Sequence, residues 1–445
     1  RYRGRGRRDG GVAHVKQGRN LSGVLATLSY RAAVAGLVPL ASLFLRAPAV
    51  RRAHRGRLAA PARLREWAHS HRDVARPLVW FHAASVGEGL QARAVLSELR
   101  RIRPDYQAVF THFSASADRL ESSMPADWSG YLPYDRRSDV IEALEALQPT
   151  LLVFSKLDVW PELATQARVR DCRVALIAGS VDPGSARLGR IASAVARRGY
   201  RAIEVAAAIS EADGKRLVQL GVDPERVVVT GDPRIDSVLD VIDDARRSGE
   251  VAADASLLVA GSTWPVDEQM LLPALVAVRK SQPEAKLLLV PHEPSAERVN
   301  EIIARARGLG LDTAVWTDGS SITAAVTVVD QLGVLARLYR LGGFAYVGGG
   351  FGTRGIHSVL EPAGWGRAVI IGPNDRGVRD ARLLADAGGL IRLANTASVE
   401  PLVARWSLWL ERPADARRAG ELAGAALAGD RGAAARSARL LSDLG

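Results

Sequence analysis

The chain has 445 residues, enough for two or three domains with cores of their own, and its balance of 47% hydrophobic and 24% charged residues excludes global disorder. Lys and Arg outnumber Asp and Glu by 60 to 48, a net charge of +12 that favours anionic partners: phosphorylated substrates, nucleic acid or an acidic membrane surface. Cys172 is the single cysteine, which excludes an intrachain disulfide and a cysteine-clustered zinc site and suits a reducing compartment.

Residues 1–20 are basic and Gly-rich without apolar periodicity, and a poorly ordered tail is expected there. Within 21–50 lies an uncharged run of 14 residues, 32–45, between Arg31 and Arg46. A spanning helix needs about 20 apolar residues, so an interfacial helix on an anionic membrane surface is expected, against the alternative of a helix packed inside the first domain.

From residue 78 onward short apolar runs alternate with amphipathic stretches, the pattern of repeated βα units and parallel sheets. Strands are expected at 78–82, 108–112, 151–154, 174–178, 202–208 and 227–230, with a helix over 89–101. Residues 236–256 are polar and rich in Ala and Asp, and they are expected to connect two domains. Strands resume at 257–260, 286–290, 326–329, 344–347 and 369–371, and 413–444 reads as helical. The expected fold is α/β, with two Rossmann-like domains, 51–240 and 250–425, facing across a cleft, and a terminal helix over 426–445. In such sheets ligands bind beyond the carboxyl ends of the strands, so the loops there are the places to seek chemistry.

Ser85, Gly87 and Glu88 form a strand-to-helix turn that either approaches an anion or simply joins two elements, with Glu88 a first-turn carboxylate. THFSASADR, residues 111–119, offers His112 and hydroxyls, or an N-cap by Ser114 or Ser116. Asp158, before Pro161, orients a sugar hydroxyl or caps a helix. Gly261, Ser262 and Thr263 suit a phosphate cradle or a capping box with Glu268, and His292 and Glu293 end the next strand. Gly348, Gly349, Gly350, Gly352 and Gly355 follow a strand and let backbone approach a phosphate, with a helix expected beyond Gly355 and ending near Glu361. There is no Walker string, no HExxH and no clustered His/Asp set, and the glycines do not match a dinucleotide fingerprint.

The strings WFHAASVGEG, THFSASA, KLDVWPEL, GDPRID, AGSTWPVDE, VPHEP and VDQLGVLARLYRLGGFAYVGGGFGTRGIHSVLEPAGWGRAVIIGPN, covering about 78–390, resemble in this order the 3-deoxy-D-manno-octulosonic acid (Kdo) transferases, which place Kdo on lipid A. Their spelling is most similar to the Bacteroidetes-type branch. The resemblance implies a two-domain GT-B glycosyltransferase, a CMP-Kdo donor, a lipid A precursor as acceptor and no metal. It also implies attachment to the cytoplasmic face of the inner membrane through an N-terminal hydrophobic helix.

Carried over by motif, Glu361 resembles the acid that binds the donor ribose, and Arg234 a basic residue near the donor phosphate or carboxylate. Ser262, Thr263, His292 and Glu293 resemble donor-side loops, with Gly350, Gly352, Gly355 and His357 beside the nucleotide. Ser85, Gly87 and Glu88 resemble the acceptor loop, and Asp158 stands where the family has Glu. The family's general base, a Glu in a G-E-R motif ahead of the first strand, has no such motif here; Glu66 stands at about the expected distance, and register by Trp67 offers His69 instead. The competing readings are another GT-B enzyme on a UDP-sugar and a nucleic-acid-binding protein. The second is disfavoured by 5% aromatic content and the lack of a recognition motif.

Overall fold

The computed structural model describes residues 27–36, 38, 47–247, 249, 252–394 and 398–445, with only the backbone of 190–195. The expected tail over 1–20 and most of the apolar run over 32–45 lie outside the described residues. Contacts divide the chain into two compact units, one of residues up to 89, 103–229 and 443–445, the other of 90–102 and 230–442.

The first unit holds seven strands, β1 (Leu78–Ala83), β2 (Gln107–His112), β3 (Trp128–Tyr131), β4 (Leu151–Ser155), β5 (Arg173–Gly179), β6 (Val205–Ala208) and β7 (Val227–Val229). They pair in the order β3-β2-β1-β4-β5-β6-β7, all parallel. β1, β2 and β4 are buried along their whole length, which is why apolar residues predominate in them without strict alternation. The helix Pro48–His71 packs beside them, burying Ala53, His54, Arg57, Ala60, Leu64, Trp67 and Ala68 at three- and four-residue spacing. Leu64 and Trp67 join Leu78, Trp80, Val109, Leu152 and Phe154 in one core.

The second unit repeats the plan with β8 (Asp254–Thr263), β9 (Lys286–Pro291), β10 (Thr313–Val315), β11 (Val326–Val328), β12 (Gly342–Val347), β13 (Ala368–Ile371) and β14 (Leu390–Arg392). Their order is β10-β11-β9-β8-β12-β13-β14, again all parallel. Its core gathers Leu258, Leu287, Leu289, Phe344 and Tyr346 under Trp406 and Trp409.

Several expectations change. β3, β10 and β14 lack an apolar run long enough to announce them; each is a short edge strand of three or four residues. The strand expected from 202 begins at Val205, because Ala202 caps the helix Arg190–Arg201. The stretch 236–256 is largely helix: Pro233–Arg247 buries Ile235, Leu239 and Ile242 one turn apart, and β8 starts at Asp254. The contact boundary falls earlier, between Val229 and Thr230.

At the amino end, residues 27–36 are helical and dock on the first unit. Tyr30 donates to Asp135 (2.7 Å), and Arg31 makes a two-pronged contact with buried Glu162 (2.9 and 2.8 Å). Leu28, Ala32, Ala33 and Ala35 on the same helix are exposed. Among the described residues no helix is long and apolar enough to cross a membrane.

Candidate active site

In the first sheet the chain leaves β1 for β2 on one side and returns to β4 on the other, so the loops after β1 and β4 meet at the switch point where open α/β sheets take ligands. His82, near the end of β1, is fully buried there. Its Nδ1 lies 3.0 Å from the Thr111 carbonyl, and its Nε2 lies 3.1 Å from Asp158 Oδ2. Trp160 Nε1 donates to the same carboxylate oxygen at 3.0 Å and also lies 3.1 Å from His82 Nε2. With Nδ1–H given to a carbonyl, Nε2 either donates to Asp158 as imidazolium or accepts from Trp160 as the neutral ring. Burial pushes the Asp158 carboxyl up, but the hydrogen bond and charge of His82, with the Arg187 charge, bring it below the usual carboxylate range. Asp158 does not cap the helix Pro161–Val169; it is held by His82 and Trp160 and keeps its second oxygen toward Arg187 at 3.7 Å.

The other expected acceptor residues lie in the turn after β1. Glu88 accepts from its own turn at Ala84 N (3.0 Å), so it caps its helix, with Lys156 Nζ at 3.9 Å. Ser85 accepts from Gly89 N through its carbonyl, and Gly87 is exposed in the first turn. Ser114 caps the short helix Ala115–Ser123. A cluster that the sequence did not announce brings His112, Asp118 and Glu121 together, with ligand atoms all within 4.8 Å. Each already has a protein partner: His112 Nε2 meets Glu121 at 2.7 Å, and Arg52 and Tyr131 take Asp118.

Glu66 and His69 are not at these loops. The helix Pro48–His71 starts beside the segments after β2 and β3, where Arg57 covers Phe113, and ends where its His71 carbonyl takes Gln107 at the start of β2. At 1.5 Å per residue Glu66 stands about 13 Å beyond Arg57, toward the amino ends of the strands. Burial of Leu64, Trp67 and Ala68 turns both Glu66 and His69 to solvent, and neither makes a hydrogen bond or ion pair with a described residue. Distance along the chain to β1 was the signal used, and helix rotation is what it omitted.

The second unit has its own switch point at β8 and β12. Loops after β8, β9 and β12 deliver a stack of rings there. Trp264 Nε1 donates to His357 Nε2 at 2.9 Å, the His292 and His357 rings lie 4.2 Å apart, and Arg354 sits 4.2 Å over Trp264. Burial, with the charges of His292 and Arg354, pushes His357 down to about 4, so the ring is neutral and carries its proton on Nδ1.

Asp267, fully buried, ties this stack to the glycine-rich loop. Its carboxylate accepts from Trp264 N (2.8 Å), Gly349 N (2.9 Å) and Tyr346 Oη (2.7 Å). A Cβ at Gly348 would lie 2.3 Å from the Ser262 carbonyl, and Gly349 has φ +96°, so the loop passes β8 only as glycine. Ser262 itself is bulged at φ +52°, while Thr263 Oγ1 donates to Glu268, which pairs with Arg298. Asn374 Nδ2 holds the Gly352 carbonyl at 2.9 Å, and Gly355 has φ +84°. Gly350 is packed against Gly372.

Three expectations here are corrected or refined. No helix begins directly after Gly355: residues 355–359 are irregular, and the helix Leu360–Gly364 that follows is one turn, with Glu361 at its start. Glu361 is half-buried, and its carboxylate makes no hydrogen bond with a described residue. Arg234 is not free for a phosphate: it is paired with Asp232 at 2.6 Å and Asp380 at 2.9 Å, and those two charges outweigh burial to push it above its ordinary value. Glu293 is exposed, beside the half-buried His292. His82, Trp160 and Asp267 were present in the quoted strings but carried no role there; only pairing across strands reveals one.

The family model described as 3-deoxy-D-manno-octulosonic-acid transferase matches residues 55–237. A curated 3-deoxy-D-manno-octulosonic acid transferase of Chlamydophila psittaci is 29% identical over 327 residues, covering 70% of this chain and 74% of that protein. The enzyme of the same name from Bordetella pertussis is 28% identical over 435 residues, 93% of this chain and 98% of its own. Neither gives support to the Bacteroidetes-type branch. Among solved structures, UDP-GlcNAc 2-epimerase from Neisseria meningitidis has a TM-score of 0.58 at 11% identity, covering 82% of this chain and 99% of its own. A glycosyltransferase from Rickettsia africae has 0.53 at 9%, covering 83% and 98%. These two establish a GT-B-like fold and nothing of substrate. The relatives and the family model agree on one likeness: over most of its length the chain is similar to Kdo transferases.

Proposed function

We propose that the protein transfers Kdo from CMP-Kdo to a phosphorylated lipid A precursor in lipopolysaccharide core biosynthesis, with inversion at the anomeric carbon and, as the resemblance implies, without a metal. The observation that carries the reading is likeness to Kdo transferases along nearly the whole chain, 93% of it in one relative. The acceptor oxygen attacks the anomeric carbon, the bond from that carbon to the CMP phosphate breaks with its electron pair leaving on CMP, and the acceptor proton passes to a base.

For that base Asp158 is preferred to Glu66 and His69. It stands at the switch point of its sheet, and His82 and Trp160 fix its orientation. In the second unit Glu361, whose carboxylate is unengaged by described residues, takes the donor ribose, and the loop of Gly350, Gly352 and Gly355 with Ser262 and Thr263 lines the phosphate. Neutral His357 offers Nδ1–H, and His292 stacks behind it. Arg234 acts through its ion pairs as a positioning residue. The reading places the enzyme at the cytoplasmic face of the inner membrane, where the exposed Leu28, Ala32, Ala33 and Ala35 and the net charge of +12 suit an anionic surface.

The test is transfer from CMP-Kdo, generated in place, to a tetra-acylated precursor, with Asp158→Asn, Glu66→Ala and His69→Ala alongside. Asp158→Asn is expected to lower kcat at least a hundredfold while the other two stay within a few-fold of wild type. Loss confined to Glu66→Ala or His69→Ala would return the base to that residue, and displacement of bound nucleotide by UDP better than by CMP would defeat the donor assignment.

A further inference from the structure

Arg57 is 7% exposed, on the helix Pro48–His71. Its Nε donates to the Ala53 carbonyl one turn back (3.2 Å), and its guanidinium carbon lies 3.8 Å from the centre of the Phe113 ring and 5.0 Å from that of Tyr134. Neither Nη group makes a hydrogen bond with a described residue, and no described carboxylate comes within ion-pair distance. Three residues earlier His54 is 3% exposed; its Nδ1 meets Tyr134 Oη at 2.5 Å, while its Nε2 is buried with no partner among the described residues. A buried cation and a buried imidazole nitrogen thus flank one tyrosine, with no anion between them among the described residues.

Stacking on two rings compensates only part of what a guanidinium loses on leaving water, and an uncompensated buried charge is worse for the fold than a hydrophobic residue of the same volume. Burial accordingly pulls the Arg57 pKa down from its ordinary value. A guanidinium held this way is pre-ordered, and its two Nη groups form the fork that matches phosphate oxygens in pairs. The place also fits. Phe113 stacks on Trp160 with centroids 5.0 Å apart, and Trp160 donates to Asp158, so Arg57 is two stacked rings from that carboxylate.

Resting on the acceptor reading above, we propose that Arg57, with His54, binds a phosphate monoester carried by the acceptor on the same sugar as the hydroxyl that Asp158 deprotonates. Arg57 then selects the acceptor and registers its hydroxyl on Asp158.

The experiment compares kcat/KM for the phosphorylated precursor and for a matched precursor lacking the phosphate on the accepting sugar, in wild type, Arg57→Lys and Arg57→Met. Wild type is expected to prefer the phosphorylated acceptor at least tenfold, Arg57→Met to lose that preference through KM, and Arg57→Lys to keep part of it. Equal preference in all three overturns the proposal, as does a loss that falls on the KM for CMP-Kdo. Melting with and without inorganic phosphate is the second arm: phosphate is expected to raise the Tm of wild type more than that of either variant. A Tm of Arg57→Met well below wild type, with acceptor preference unchanged, would make Arg57 a structural residue only. If wild type transfers no Kdo the function proposed above fails, and the phosphate-dependent Tm shift of wild type against Arg57→Lys still decides Arg57.

Discussion

Replacing Asp267 with Ala tests whether one buried carboxylate organises the donor half. Its two oxygens accept from Trp264 N, Gly349 N and Tyr346 Oη, at 2.8, 2.9 and 2.7 Å. Each donor stranded in the interior costs about 1–3 kcal/mol, and the tyrosine hydroxyl has freedom to find water where the two amides do not. Counting the amides fully and the hydroxyl not at all gives a loss of about 4 kcal/mol, with the void left by the side chain adding to it. The loss is local: Gly349 leads the glycine-rich loop and Trp264 carries the ring stack, so both donor elements are released together. Urea unfolding followed by tryptophan fluorescence measures the stability loss, and calorimetric titration with CMP measures the binding loss, expected to exceed tenfold. Asp267→Asn keeps one acceptor oxygen and is expected to fall between, at about 1–2 kcal/mol. An Asp267→Ala protein with the stability of wild type and undiminished CMP affinity would refute the argument that this carboxylate holds the loop.

Further outcomes follow from the same geometry. Burial raises the Asp267 carboxyl above its usual 3.8, so the folded state binds the extra proton first and the contribution of this group to stability declines as pH climbs from about 4 through the raised value; Asp267→Asn should lack that decline, and urea midpoints at pH 4 to 7 check it. His357, pushed down to about 4, is expected to show no imidazole titration between pH 8 and 5 by NMR, and a midpoint near 6.5 would contradict the Trp264 hydrogen bond. Gly348→Ala places a Cβ against the Ser262 carbonyl and is expected to destabilise by about 1–3 kcal/mol with weaker CMP binding; a silent substitution would mean the loop passes β8 less closely. Glu361→Ala removes a carboxylate with no described partner, so CMP affinity should fall at least tenfold with Tm unchanged, and unchanged affinity would remove it from the ribose site.

The α/β class and the long central strands were legible because a strand buried on both faces is dominated by apolar residues, as β1 (Leu78–Ala83) and β9 (Lys286–Pro291) are. Edge strands such as Trp128–Tyr131 were not, since half their surface is free to be polar. The likeness to Kdo transferases was also in the sequence, because order and spelling of loop motifs need no coordinates. Sequence alone placed Asp158 and the glycine run in loops after strands, and it named hydroxyls and acids of the right chemistry. What it could not supply was who faces whom. His82 meets Asp158 across 76 positions, and Asp267 meets Gly349 across 82, because parallel strands bring distant loops to one end of a sheet. Arg234 read as a free cation until Asp232 and Asp380 were found on it. Glu66 read as a base until the helix phase set by Leu64 and Trp67 turned it outward, and Arg57 drew no notice among sixty cationic residues until burial without a counter-ion set it apart. Residue type and local spacing fix what a side chain can do; packing decides its protonation, its partner and the ligand it is left free to meet.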